Sequence, residues 1–248
     1  SLFDGILEAC EKNKWWSTNL LYTPVFVPPT RKAVGAVIDN KIPPSKLRNL
    51  RKLKIPVVLY GPDGDRRDLR DLPSVSDDLH KAGRMAANFF IEKGFKDLAF
   101  FDFPPGMEHN EVFRGFRERA EQIKDCTLHA CRLEGVGHIK NLPQKYERQV
   151  RAIMEYLLVL PKPLAVLAFN AKMGSRLIAA CEMTGLMVPE QVAILSREVP
   201  VFCETAPTPL SAIQVDMPEC GRKLITLLKR CIRGEAGLEK VAVKVPPA

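Results

Sequence analysis

The stretch LPKPLAVLAFNAKMGSRLIAACEMTGLMVPEQVAIL, residues 160–195, decides the fold class. Its unbroken apolar segment, 164–169, stops at Asn170; a helical pattern follows, and a turn over 185–190 leads into a second apolar segment, 192–195. Apolar runs that are continuous rather than alternating are what a parallel sheet covered on both faces requires, because neither face meets water. In such sheets ligands bind beyond the carboxyl ends of the strands, so Asn170 stands where function is placed.

The same grammar extends outward from this stretch. Upstream, the spacing predicts a helix over 3–12, short strands over 18–22 and 33–38, a basic helix over 45–54 and a strand over 56–60. A long helix, DDLHKAGRMAANFFIEKG (77–94), is closed by Gly94 before a strand over 97–103. After Pro104 and Pro105 come a helix over 111–123, a strand over 127–132 and a helix over 142–158; downstream lie a helix over 218–233 and a last strand over 241–245. Alternating β and α units predict an α/β fold with two doubly wound parallel-sheet lobes, each near the usual domain size. The default ligand site of such a pair is the cleft between them.

Composition narrows the function classes. A chain of 248 residues with 46% apolar content can bury one large core or two smaller ones. No run of 18 apolar residues and no signal-peptide pattern occurs, so a soluble cytoplasmic protein without membrane contact is the expectation. Seven cysteines stand scattered with no CxxC pair, which fits a reducing compartment. Cys126, His129 and Cys131 form the one tight metal-type grouping and lack a fourth ligand nearby. The net charge of +8 invites a nucleic-acid reading. Its densest segments, KIPPSKLRNLRKLK (41–54) and DRRDLRDL (65–72), read instead as a solvated amphipathic face, with Leu47, Leu50 and Leu53 on one side. No nucleotide-binding or nucleophile motif of the GxGxxG, GxxxxGK[ST] or GxSxG type is present, and Glu134 and Glu204 have no evident catalytic partner. An enzyme is therefore not the expectation.

Specific motifs carry a family resemblance. Val75, Asp78, Gly83 and Ala86, followed by FFIEKGFKDLAFF (89–101), together with GLMVPEQVAIL (185–195) and PLSAIQVDMPECG (209–221), resemble the effector-binding domain of LacI/GalR-like transcription regulators, of type I periplasmic-binding-protein-like fold. LPKPLAVLAFN and the segment from CETA to PLSAI are most similar to the XylR group of AraC-type regulators. The resemblance covers nearly the whole chain. It implies an N-terminal lobe of 1–103 plus 214–235 and a C-terminal lobe of 104–213 plus 236–248, with a ligand cleft between. It further implies a small-molecule effector, a sugar such as a pentose, a homodimer, DNA contact only through a separate domain, and no cofactor.

The resemblance also names ligand-binding positions: Asp39 at the end of GAVID, Asp78, Asn170, Glu198 in SREVP, and Met217 in VDMPECG. A carboxylate accepts two hydroxyls and an amide both donates and accepts, the complement of a vicinal diol. Other positions depart from the family. Its arginine in RxxGF falls at Val112, with Arg114 two positions away; the aspartate after Asn170 is Ala171; and the Asp-rich segment after VAIL is SREVP, one residue shorter. Family members also have a strand ahead of the first helix, and the segment between Tyr22 and Ala33 is short for the family's second helix.

Each retained position has a plainer role open to it. Asp78 and Asn170 precede helices and suit N-caps, and Asp39 suits a turn. Trp15 and Trp16 fit packing as well as sugar stacking. The second functional reading is accordingly a fold retained for dimerisation, with sugar sensing lost or altered.

Overall fold

A computed structural model describes residues 1–15, 33–61, 66–102, 110–133, 142–197 and 210–247. It divides into two compact units, Ser1–Asp77 with Asp216–Val245, and Asp78–Val215 with Pro246–Ala248. Among the described residues no helix is long and apolar enough to cross a membrane. The expected strand over 18–22 lies outside the described residues.

The first unit holds α1 (Leu2–Lys12), β1 (Ala36–Asp39), α2 (Pro44–Lys52), β2 (Val57–Tyr60), a 3-10 turn (Arg67–Leu69) and β3 (Ser74–Asp77), with α7 (Met217–Ile232) and β9 (Ala242–Val245) returning from later in the chain. Its sheet has the order β1-β2-β3-β9 and is parallel throughout, with Asp39 in register with Tyr60 and Asp77 with Val245. Both faces are covered. Val58 and Val75 pack with Cys220, Leu224 and Leu228 of α7, while Ile38, Val57 and Leu59 pack with Leu47 of α2. Since alternate residues face opposite sides of a sheet, Asp39, Tyr60 and Asp77 fall on the α7 side.

The second unit holds α3 (Leu79–Glu92), β4 (Asp97–Asp102), α4 (Glu111–Ala120), β5 (Thr127–Arg132), α5 (Leu142–Val159), β6 (Leu164–Ala168), α6 (Ala171–Thr184), β7 (Val192–Arg197) and β8 (Ser211–Ile213). The parallel order is β5-β4-β6-β7-β8. Every residue of β6 is buried, as its unbroken apolar run requires. One face packs Ala99, Val166 and Ile194 under α5 and α6; the other packs Leu98, Phe100 and Leu167 under α3 and α4. Gly94 and Gly185 follow α3 and α6 in the left-handed region, at φ of 85° and 69°, where a side chain would be strained.

The α/β class with parallel sheets is as the sequence indicates, but the lobe limits are not. The second unit begins at Asp78 rather than 104, and the last strand belongs to the first unit. Pairing partners decide both. β4 is hydrogen-bonded to β5 on one side and β6 on the other, α3 packs along α4, and β9 extends the first sheet beside β3. The two short strands β3 and β8 were not anticipated: SVSD and SAI are mixed in polarity and too short for a periodicity to register.

Candidate functional site

Because each sheet is parallel, all its strands end at one edge, and the helices that follow begin there. In the first unit this edge carries Asp39, Tyr60 and Asp77 beside the start of α7. Asp39 Oδ1 accepts a hydrogen bond from the Lys41 backbone N–H at 3.0 Å, so the carboxylate shapes the turn after β1; its second oxygen takes no hydrogen bond from a described residue. Asp216 caps α7 by accepting from the Glu219 N–H at 2.9 Å, and the next residue, Met217, accepts through Sδ from the Tyr60 hydroxyl at 3.0 Å. Met217 is thus fixed against the strand that lies in register with Asp39. The corner is acidic: burial first, then the carboxylates of Asp77, Asp216 and Glu219, push the Cys220 thiol up to about 12.

In the second unit Asp78 and Asn170 are both helix N-caps. Asp78 Oδ1 accepts from the Lys81 N–H at 3.0 Å, and Asn170 Oδ1 accepts from the Met173 N–H at 2.9 Å. Capping occupies one atom of each group. The other Asp78 oxygen and the Asn170 amide nitrogen make no hydrogen bond to a described residue, so each retains capacity toward a ligand. Asn110 caps α4 with its Oδ1 and donates from Nδ2 to Asp102 Oδ2 at 3.1 Å. Phe169 and Arg197 end β6 and β7 side by side, with the Arg197 guanidinium carbon 5.4 Å from the ring centroid.

Of the positions named from the sequence, Asp39 and Met217 thus lie on the first unit's edge and Asp78 and Asn170 on the second's; Glu198 lies outside the described residues. Val112 is buried in the core beneath α3 and α4. Arg114 does not stand in for an arginine there: it is half exposed and pairs with Glu111 at 2.6 Å. Trp15 packs partly buried against the α1 and α7 core, and Trp16 is not described. The Cys126, His129, Cys131 grouping is split by the sheet. Cys131 is buried on the α5 and α6 side and Cys126 packs toward α3 and α4, while His129 Nε2 sits 2.9 Å from Asp97 Oδ1. Among the described residues no group of three or more His, Cys, Asp and Glu side chains is placed to hold a metal ion.

Sequence reasoning missed Tyr60, Ser196 and Arg197. Each ends an apolar strand, VVLY or VAILSR, where a polar terminal residue reads as the end of burial. The signal available was position: a polar group at the carboxyl end of a parallel strand.

Known proteins are similar in the same way. Residues 87–248 match the periplasmic binding protein-like domain. The NTD biosynthesis operon regulator NtdR of Bacillus subtilis (strain 168) is 22% identical over 196 residues, 77% of this chain and 57% of that protein. The chain spans about half the length of the curated relatives it matches. Among solved structures, the xylose-binding transcription activator XylR superposes with a TM-score of 0.74 at 17% identity, covering 100% of this chain and 63% of that one. A periplasmic binding protein/LacI transcriptional regulator from Alkaliphilus metalliredigens QYMF, complexed with D-xylulofuranose, gives 0.64 at 18% identity over 99% of this chain and 79% of that one. At such identities the superpositions speak for the fold alone. The matched region runs from within α3 through the last strand, well over half of the sequence, and the chain belongs to the periplasmic binding protein-like domain family.

Proposed function

We propose that this chain is the ligand-sensing domain of a bacterial transcription regulator, with a sugar as ligand and DNA contacted by a domain outside these residues. NtdR, its relative, is an operon regulator, and the two solved structures described above are a xylose-binding activator and a regulator holding D-xylulofuranose. They favour a pentose and, through XylR, a kinship with AraC-type regulators. The reading includes a homodimer as the form that acts on DNA, and Asp39, Asp78, Asn170, Glu198 and Met217 as ligand contacts.

The observation that carries it is the reserve capacity of three edge groups. Asp39, Asp78 and Asn170 each use one side-chain atom to hold a turn or cap and keep another for a hydroxyl. A ligand bound in this way stabilises the folded chain, by about 2.7 kcal/mol at a hundredfold excess over Kd. A thermal-shift panel of pentoses and hexoses tests it. A rise in melting temperature with one sugar, lost in Asp39→Ala and Asn170→Ala, is the expected result; no shift at millimolar sugar, with an intact regulator still active on its promoter, sinks the reading.

A second reading has its own support. Val112 and Ala171 are apolar where the family resemblance implies polar contacts, and Asp78 and Asn170 already serve as caps. Losing one charge-assisted hydrogen bond costs about 1.5–3 kcal/mol, so two such losses carry a micromolar site to millimolar. On this reading the fold persists for dimerisation, and the same panel gives no shift while sedimentation still finds a dimer.

A further inference from the structure

The carboxyl edge of the second unit carries a cation placed where a ligand's charge would be read. Ala168 of β6 is in register with Ser196 of β7, so the residues after them, Phe169 and Arg197, run side by side. Arg197 is in register with Ile213 on its other flank. Its neighbours along the sheet are thus an aromatic ring and an aliphatic side chain. The contrast lies at the opposite end of the same edge, where Arg132 is in register with Asp102, itself bound by Asn110. Arg197 therefore brings a guanidinium over the Phe169 ring, one residue from Asn170 and the start of α6.

Ser196 supplies an independent observation. Its hydroxyl is fully buried and has no hydrogen-bond partner. The alternation that sends Val192 and Ile194 toward α5 and α6 sends Ser196 to the same side, beside Ala168 and next to the Asn170 turn. A buried hydroxyl left unpaired is costly, and a polar ligand group or water reaching this edge relieves it.

Resting on the sensing function proposed above, we infer that Arg197 is the specificity-determining residue of this edge and that the ligand is a polyol bearing an anionic group, a phosphate or a carboxylate. Guanidinium presents a planar fork of donors that matches either anion, and stacking on an aromatic ring limits its motion without removing those donors. The nearby acids do not oppose this: Asp102 is bound by Asn110 and Asp78 caps α3. The N-terminal N–H groups of α6 add a favourable field for an anion.

Calorimetry on the chain with two matched triplets tests it: ribose, ribose 5-phosphate and ribonate, and glucose, glucose 6-phosphate and gluconate. The expected result is that one anionic member binds about tenfold or more tightly than its neutral parent, with affinity that falls as salt is raised. Which member does so separates phosphate from carboxylate. Arg197→Gln erases the preference while leaving the neutral sugar's affinity in place, and Arg197→Lys keeps part of it, since a lysine supplies charge without the fork. Should Arg197→Gln fail to fold by circular dichroism, the salt dependence of the unaltered chain decides. A neutral sugar that binds as tightly as both anionic forms, or a preference untouched by Arg197→Gln, overturns the inference and leaves sugar sensing standing. Binding by none of the six compounds overturns both.

Discussion

Two helix pairs, one in each unit, are brought together in the same way. In the first, a Cβ added to Gly5 of α1 would lie 2.0 Å from the Pro218 carbonyl oxygen, and one on Gly221 of α7 would lie 2.4 Å from the Leu2 carbonyl oxygen. In the second, Gly83 of α3 and Gly115 of α4 would meet the carbonyl oxygens of Val112 and His80, each at 2.0 Å. Reciprocal glycines let both pairs of backbones touch, and each pair covers one face of its sheet. Above this shared scaffold the two edges differ. The first holds its groups by a side-chain contact between Tyr60 and Met217, far apart in sequence; the second holds Asp78 and Asn170 by bonds to backbone three residues on. The scaffold is thus repeated while the chemistry above it diverges, as expected when packing fixes a fold and individual side chains fix a function.

The strongest test of the shared scaffold is a methyl group. Gly115→Ala and Gly5→Ala should each destabilise by about 3 kcal/mol, because a backbone carbonyl cannot yield as a side chain can. Urea denaturation of the two variants measures it; a neutral Gly5→Ala beside a damaging Gly115→Ala would break the equivalence of the pairs.

Next in size are the caps. Asp78→Ala and Asn170→Ala should each lose about 1 kcal/mol. Asn170→Asp separates the two roles of that residue, since aspartate caps as well but replaces the amide donor with an acceptor. Stability close to the parent, with any sugar-induced rise in melting temperature abolished, is the expected outcome; a retained rise would remove the amide from the site.

Tyr60→Phe should cost less, about 0.5–1 kcal/mol, because a thioether is a weak acceptor. It should loosen Met217 and weaken ligand binding more than it lowers the urea midpoint, which paired calorimetry and denaturation would show.

The smallest effect concerns thiols shared between the units. Burial pushes Cys131 and Cys220 up to about 12 and Cys181 up to about 11. A thiol whose folded value lies above the unfolded one, about 8.5, contributes stability that is intact below that pH and declines as pH rises toward the folded value. Stability should therefore fall from about pH 9 upward, and at pH 8 a thiol reagent should label these three only on unfolding. Rapid labelling of the folded chain would contradict their burial.

Legibility from the sequence tracked how local each cause was. The runs LAVLA and VAIL announce buried parallel strands by themselves, and Asn170, Gly94 and Gly185 mark helix limits through their own hydrogen bonds or backbone angles. The expected positions Asp39, Asp78, Asn170 and Met217 all fall at a carboxyl edge. The lobe limits were misplaced because nothing local distinguishes a helix that stays beside its preceding strand from one, such as α3, that packs on α4 across Gly83 and Gly115. Arg114, close in sequence to the family's arginine, turned outward to Glu111, since two positions on a helix are about 200° apart.

By itself, then, the amino-acid sequence determined the α/β class, the parallel strands, the caps and the positions where polar groups end apolar runs, because burial and capping act over a few residues. Tertiary structure alone decided that β9 joins the first sheet, that Tyr60 meets Met217 and that Arg197 lies on Phe169. Those outcomes depend on strand order and helix crossing, which arise only when distant segments compete for the same neighbours.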